Sequence, residues 1–294
     1  MRSSSARPRS LNRISFRVNH SQVSVSVSEL VAACERLWPG AFAEDWDNTG
    51  LIVGRLSDSV SKVLFVVDVV AATVDEAIAG GYDAIVAHHP LILRGIQTVS
   101  ESTYKGDLIA RLIRNNIAVL AMHTNADVVP NGVSDVIAST LNLVNAQPIV
   151  PSQSESTGLG RVGMLPEPMT LGDLAKKLAV TLPATVPGIQ VSGEFGQTVS
   201  TVSLCGGAGD SLLAEQAVRS SDVYITSDLR HHRASEAREQ ALVSGGPALI
   251  NVSHWASEWL WLATGARSVS ELVPGVAIDI SEVRTDPWDF VVTQ

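Results

Sequence analysis

The feature that most constrains this chain is a repeated alternation of short apolar runs with helical patterns. Lys62-Val63-Leu64-Phe65-Val66-Val67-Asp68 is a continuous apolar run of strand length, as expected for a strand buried on both faces. A helical stretch from Ala72 to Ala79 follows and stops at Gly80-Gly81. Strand Ala84 to Ala87, helix Gly106 to Arg114, strand Ala118 to Ala121 and helix Val133 to Leu141 come next. The rhythm resumes with strands at Thr201 to Cys205, Val223 to Thr226 and Ala248 to Val252. Helices follow them at about Ser211 to Arg219, His231 to Leu242 and Trp255 to Thr264. Strands separated by helices imply βαβ units and a mainly parallel sheet. The expected class is therefore α/β with mixed, mainly parallel sheets, built as one large domain or as a two-lobed α/β/α arrangement. The matching rhythm of the two halves permits an internal duplication.

The pattern divides the chain. Residues 26–145 form an N-terminal α/β lobe, opened by the capping box Ser26-x-x-Glu29 ahead of a helix from Ser28 to Trp38. Residues 146–200 carry turns at Pro151, Gly158, Pro166, Pro183 and Pro187-Gly188 and one helix, Leu171 to Thr181; they read as an irregular α+β connection. Residues 201–294 form a C-terminal α/β lobe. Residues 1–25 hold Arg2, Arg7, Arg9, Arg13 and Arg17 among serines, with no acid before Glu29. That composition resembles a transit peptide, but a disordered basic extension or an over-extended start explains it as well; these residues stay outside the fold.

Six of the seven histidines follow the expected strands. His88-His89 comes after Ala87, His123 after the strand ending at Ala121, His231-His232 one turn after Thr226, and His254 after the strand ending at Val252. In parallel α/β sheets ligands bind at the carboxyl ends of strands, so four segments aim imidazoles at one rim. Two also carry an acid four residues on: His123-Thr124-Asn125-Ala126-Asp127 and His254-Trp255-Ala256-Ser257-Glu258. In the second, positions i and i+4 share a helix face and reach one centre. Each motif alone is weak, since a lone strand-end histidine or surface HxxxE pair is common; the conjunction points to a metal site. Nitrogen and carboxylate ligands suit Zn, Mn, Fe or Ni, and five to seven candidates suggest two divalent ions per subunit bridged by a carboxylate. Such a pair lowers the pKa of bound water, which is hydrolytic chemistry.

Asp228 could orient a ligand histidine, His232 or His123 could move protons near neutral pH, and Arg230 could hold a phosphate. The plainer reading of Asp228 is a helix cap. Gly206-Gly207-Ala208-Gly209 reads as a tight turn or an anion cradle. Trp255 could wall the pocket, and Trp259 and Trp261 cannot share one helix face.

Composition excludes some alternatives. A formal net charge of −9 makes nucleic acid an unfavourable partner. No apolar run reaches the roughly 18 residues of a membrane span, and no secretory signal is visible. Cys34 and Cys205, the only two cysteines, cannot build a disulfide framework and read as buried apolar residues. A cytoplasmic location is expected.

Five motifs then occur in a telling order: Glu44-Asp45-Trp46-Asp47-Asn48-Thr49-Gly50-Leu51, Ala87-His88-His89-Pro90, His123 to Asp127, Thr226-Ser227-Asp228-Leu229-Arg230-His231-His232, and His254 to Glu258. From about Val27 to its end, the chain resembles the Nif-three-like family, whose members are known as GTP cyclohydrolase 1 type 2 homologues or dinuclear metal-centre hexameric proteins. The resemblance implies a toroidal homohexamer and a dinuclear site between the lobes. His88, His89, Asp127, His254 and Glu258 would be the metal ligands, with Glu258 as the bridge. His123, Asp228 and His232 would line the site as catalytic groups. The implied reaction opens the guanine imidazole ring of GTP and releases formate. Hydrolysis of a phosphoester, or a non-enzymatic metal-binding ring acting on partner proteins, are the alternatives. Ser227 and Ser253 stand where glycine is frequent in the family, and Trp255 where a smaller aromatic is common; these departures bear on substrate choice. The chain has no room for the domain that longer relatives insert between the halves.

Overall fold

The parity of the apolar runs sets the architecture. In a computed structural model that describes residues 24–152 and 156–293, Lys62–Val66, Ala84–Ala87 and Ala118–Ala121 are neighbouring parallel strands. Successive side chains of a strand point to opposite faces. Val63, Phe65, Ala84, Val86, Ala118 and Leu120 accordingly enter one core, while Leu64, Val66, Ile85, Ala87 and Val119 enter another. Helices Ala71–Gly80 and Tyr104–Arg114 cover the second face with Val74, Ala77, Leu108 and Leu112. A strand buried on both faces has no room for polar alternation, hence the unbroken runs.

The second half repeats this plan. Thr198–Ala208, Val223–Ser227 and Ala248–Val252 are parallel neighbours, with Val223, Ile225, Ala248 and Ile250 turned inward and Tyr224 and Leu249 outward. The repeat reaches individual hydrogen bonds. Asp83 accepts from the Ser61 and Lys62 amides, and Asp222 accepts from the Ser200 and Thr201 amides. The Asp83 carbonyl accepts from Ala118 N and the Asp222 carbonyl from Ala248 N. Each aspartate ties together the starts of three parallel strands, which supports the internal duplication that the rhythm permits.

The sheets redraw the expected boundaries. The first has five strands in the order Ala277–Ile280, Lys62–Val66, Ala84–Ala87, Ala118–Ala121, Gly50–Val53, the last antiparallel. Ala277–Ile280, expected in the C-terminal lobe, thus completes the N-terminal sheet. The second has six strands: Gln190–Ser192, Ala248–Val252, Val223–Ser227, Thr198–Ala208, Arg161–Thr170 and Val144–Gln147. The stretch 146–200 therefore supplies antiparallel outer strands to the second sheet rather than standing apart. Its turn residues hid them, because Pro166 and Pro168 interrupt the longest of these strands and its register shifts between Met164 and Met169. Of residues 1–25, numbers 1–23 lie outside the described residues, and Val25 pairs with Val60 in a short antiparallel ladder.

Between the sheets lies the helix His254–Leu272, packed on strands of both. Its buried face carries Trp255, Glu258, Trp261, Leu262, Gly265 and Val269, an i, i+3, i+4, i+7 stripe. One member of that stripe is a carboxylate. The capping box at Ser26 and Glu29 forms as expected ahead of the helix Val27–Leu37. Cys34 and Cys205 are free, and burial pushes both thiols up to about 12. No helix among the described residues is long and apolar enough to cross a membrane.

Arg161, 2% exposed, fastens the second sheet to the loops beside the first. It donates to the Asp135 carboxylate and to the carbonyls of Gly158, Gly160 and Val129. Removing it leaves these acceptors without their donor. Arg161→Leu is expected to cost about 3 kcal/mol of unfolding free energy in urea titrations; a loss under about 1 kcal/mol would mean that water replaces the guanidinium.

Candidate metal centre

Four imidazoles share one construction. Each Nδ1 faces an oxygen acceptor: the Met122 carbonyl for His88 at 2.9 Å, Asp68 for His89 at 2.7 Å, Asp47 for His123 at 2.8 Å and Asp228 for His254 at 2.8 Å. Donation from Nδ1–H fixes the neutral tautomer and leaves the lone pair on Nε2. The ligand atoms of His88, His89 and His123 lie within 4.8 Å of one another, as do those of His89, His254 and Glu258. His89 belongs to both groups, so the two sets are contiguous.

Glu258 stands at their meeting point. Its Oε1 is 2.9 Å from His254 Nε2 and 3.3 Å from His88 Nε2, and its Oε2 is 3.0 Å from His89 Nε2. Although these distances are short, His88 Nε2 and Glu258 Oε2 are buried without a hydrogen bond of proper geometry. His89 Nε2 and His254 Nε2 face each other at 3.3 Å. With both Nδ1 atoms donating, two lone pairs point at one another, which is unfavourable unless a proton or a cation lies between them. Convergent, mutually misaligned donor atoms are what a metal-ligating set presents, and these residues fit divalent ions. Asp127 is at the margin, its Oδ1 3.7 Å from His88 Nε2.

Local structure explains these positions. His88 and His89 leave the strand Ala84–Ala87, and their amides still bond to Val66 O and Val67 O of the neighbouring strand. His123 caps a four-residue helix, Thr124–Asp127. Ser253 caps the helix His254–Leu272 by accepting from Ala256 N at 3.2 Å, placing His254 and Glu258 one turn apart on the same face. Asp228 adopts a left-handed φ of 54°, a conformation aspartate tolerates better than most residues.

Charge follows the geometry. Burial alone would raise the Glu258 carboxyl, but His89, His254 and His88 outweigh it and hold the group well below the ordinary glutamate range. Burial opposes charging of His254, yet Glu258 and the Asp228 hydrogen bond push its pKa up to about 10. His88 and His89 also move up, against burial, chiefly through Glu258. Asp127 moves up because burial exceeds the pull of His88 and His123.

A family model described as Duf34/NIF3 (NGG1p interacting factor 3) matches residues 25–287. The chain belongs to this family. A Streptomyces coelicolor protein named GTP cyclohydrolase 1 type 2 homolog is 44% identical over 269 residues, covering 89% of this chain and 93% of the relative. A Mycobacterium leprae protein of the same name is 28% identical over 376 residues, covering 91% of this chain and 96% of the relative. That span exceeds the 294 residues here, so the relative carries segments this chain lacks. A solved Bacillus cereus protein related to NIF3 shares the fold with a TM-score of 0.83 at 24% identity, covering 91% of this chain and 99% of that one. A solved Staphylococcus aureus hypothetical protein gives 0.80 at 27%, covering 90% and 99%.

Within this family fold, the candidate residues separate. His88, His89, His123, His254 and Glu258 come together, with Asp127 beside them. Asp228 holds His254 by Nδ1 and is a positioning residue. His232 lies in the first turn of the exposed helix His231–Ser244, its ring 5.3 Å from that of His231; it is not among the grouped ligands. Arg230 is bonded to Asp210. The Gly206–Gly209 segment is no helix-opening turn, because the strand Thr198–Ala208 runs through most of it. Gly207 has its own reason: with φ 66°, a Cβ there would lie 2.5 Å from Glu258 Oε1. Of the family departures, Ser253 is a helix cap, and Ser227 is fully buried against Ser257.

Asp47 and Asp68 were not singled out from the sequence as functional. Asp68 ends an apolar strand on the same rim as the histidines, which is the signal that could have found it. Asp47 lies 76 residues from its partner, and its signal is its place in the Glu44–Leu51 motif, which by itself does not say which ring it holds.

Two outcomes follow. Because His254 holds a proton below about pH 10 that a metal must displace, loading at neutral pH should release protons, and affinity should rise with pH. Calorimetry in buffers of differing ionisation enthalpy reads this directly; buffer-independent heats would contradict it. Gly207→Ala should stay folded and lower metal affinity by about tenfold or more, read by competition with a chelating dye.

Proposed function

We propose that this protein is a hydrolase that holds two divalent metal ions on His88, His89, Asp127, His254 and Glu258, with Glu258 shared between them. The observation that carries the reading is the buried Glu258 carboxylate within 3.3 Å of three imidazole nitrogens, each turned inward by an oxygen on its other nitrogen. A structural zinc site would be closed by thiolates; here the donors are nitrogen and carboxylate, and Asp228 and His254 reach a cavity of about 600 Å³. Zn, Mn, Fe or Ni suits the set.

Such ions would supply the Lewis acidity that makes a hydrolytic nucleophile from water near neutral pH. The protein's own groups do the remainder. Asp68 and Asp228 fix the rings of His89 and His254. His123 takes and returns a proton at Nε2, its Nδ1 held by Asp47 and its face beside the Trp46 ring at 5.8 Å. His232 is too far out on its helix for that task. Relatives named GTP cyclohydrolase 1 type 2 homolog favour a guanine ring as the group attacked. One water adds at C8; the C8–N9 bond breaks, N9 takes the proton, and C8 remains as a formamide on N7. A second water cleaves this to formate and the free amine.

Formate release from guanine compounds, GTP included, should appear with one or more of the four metals and vanish in Glu258→Gln, whose circular dichroism should match the wild type. Formate from no guanine compound with any metal, or undiminished turnover in Glu258→Gln, would contradict the proposal.

A further inference from the structure

We infer that the cavity beside the metal cluster accepts a planar nitrogen heterocycle without a phosphate chain, a nucleobase or nucleoside rather than a nucleoside triphosphate. The inference rests on the proposed hydrolytic reading and names the substrate class for that site.

Charge disfavours a phosphate chain in this cavity. The cavity is lined by the carboxylates of Asp68, Asp228 and Asp286 and by the imidazoles of His89 and His254, and among the described residues no lysine or arginine lines it. Recognition of phosphate ordinarily uses arginine, lysine or a helix N-terminus. The two imidazoles are turned toward Glu258. Arg230, the cation nearest in sequence to Asp228, is bonded to Asp210. The one helix N-terminus at the cavity, that of His254–Leu272, already has its anion. Ser253 caps it and donates from Oγ to Asp286 Oδ2 at 2.6 Å. Among the described residues, a triphosphate would meet three carboxylates and no lysine or arginine there.

The same walls suit a flat, uncharged ring. Trp255 and Trp288 both line the cavity, and Trp288 is 62% exposed, so an apolar indole face is on offer at the mouth. Aromatic faces stack on nucleobases of any sequence. Asp228 uses Oδ2 on His254, which leaves Oδ1 to accept from a ring N–H or exocyclic amine. Gln190 and Asn251 add amide groups at the far wall, fixed to each other at 2.9 Å.

One wall is the C-terminal strap, from Thr285 to Trp288. Thr285 Oγ1 donates to the Asp68 carboxylate that orients His89, Asp286 is held by Ser253, and Trp288 N returns to Asp286 Oδ1 at 3.2 Å. The strap thus carries both the charge that repels phosphate and the indole that receives the ring.

The test is calorimetric titration of the full-length zinc-loaded protein with guanosine and with GTP. Guanosine should bind at least tenfold more tightly than GTP. Trp288→Ala should weaken guanosine about tenfold while both metals stay bound, and Asp286→Asn should raise GTP affinity several-fold relative to that of guanosine. GTP binding as tightly as guanosine or more so, or no binding of guanosine, would overturn the inference. The two readings fail separately: guanosine binding without formate from any guanine compound sinks the hydrolase alone, and formate from GTP with GTP the tighter ligand sinks the phosphate-free cavity alone.

Discussion

The rest of the site depends on one buried carboxylate. Glu258 is 3% exposed and lies in the apolar stripe of a helix packed on both sheets. An isolated carboxylate there would cost several kcal/mol, and the surroundings are arranged to offset that cost. Three imidazoles converge on it, Gly207 gives up a side chain to make room, and Ser253 starts the helix one turn earlier so that His254 shares its face. The helix also packs on both sheets, so Glu258 and His254 are brought to the histidines of the first half by one rigid element.

The duplicated plan explains why one site draws on both halves. Asp83 and Asp222 tie the strand starts in the same way, and the opposite strand ends carry His123-x-x-x-Asp127 in one half and His254-x-x-x-Glu258 in the other. The copies then diverge. His88 and His89 follow the middle strand of the first half, whereas Asp228 follows that of the second and orients a ligand. The hydrogen-bonded carboxylates beneath the rings, Asp47, Asp68 and Asp228, come from three separate segments. They set the tautomers of His89, His123 and His254, and the Met122 carbonyl does the same for His88.

Much of this was legible in the sequence because strands buried on both faces leave an unmistakable pattern. Ala84–Ala87, Ala118–Ala121 and Ala248–Val252 fall where their apolar runs place them. The antiparallel outer strands were not legible. Arg161–Thr170 holds two prolines and a register shift, and Val144–Gln147 is exposed along its whole length; both read as irregular because neither has two buried faces. Gly206 to Gly209 read as a turn, since glycine reports backbone freedom without saying whether a turn or a crowded neighbour demands it. At the site, the histidines and Glu258 were visible through their shared position after strands. Asp47 and Asp68 act across the fold, and only the packed structure joins them to a ring. His232 had the right composition and sequence neighbourhood, but its helix turns it outward.

Anomalous diffraction from crystals of the metal-loaded protein, collected at the absorption edge of the loaded metal, puts the proposed two-ion site to the test. Two peaks per chain are expected, both within ligand distance of the Glu258 carboxylate and together bounded by His88, His89, Asp127 and His254. A single peak, or peaks away from Glu258, would contradict it.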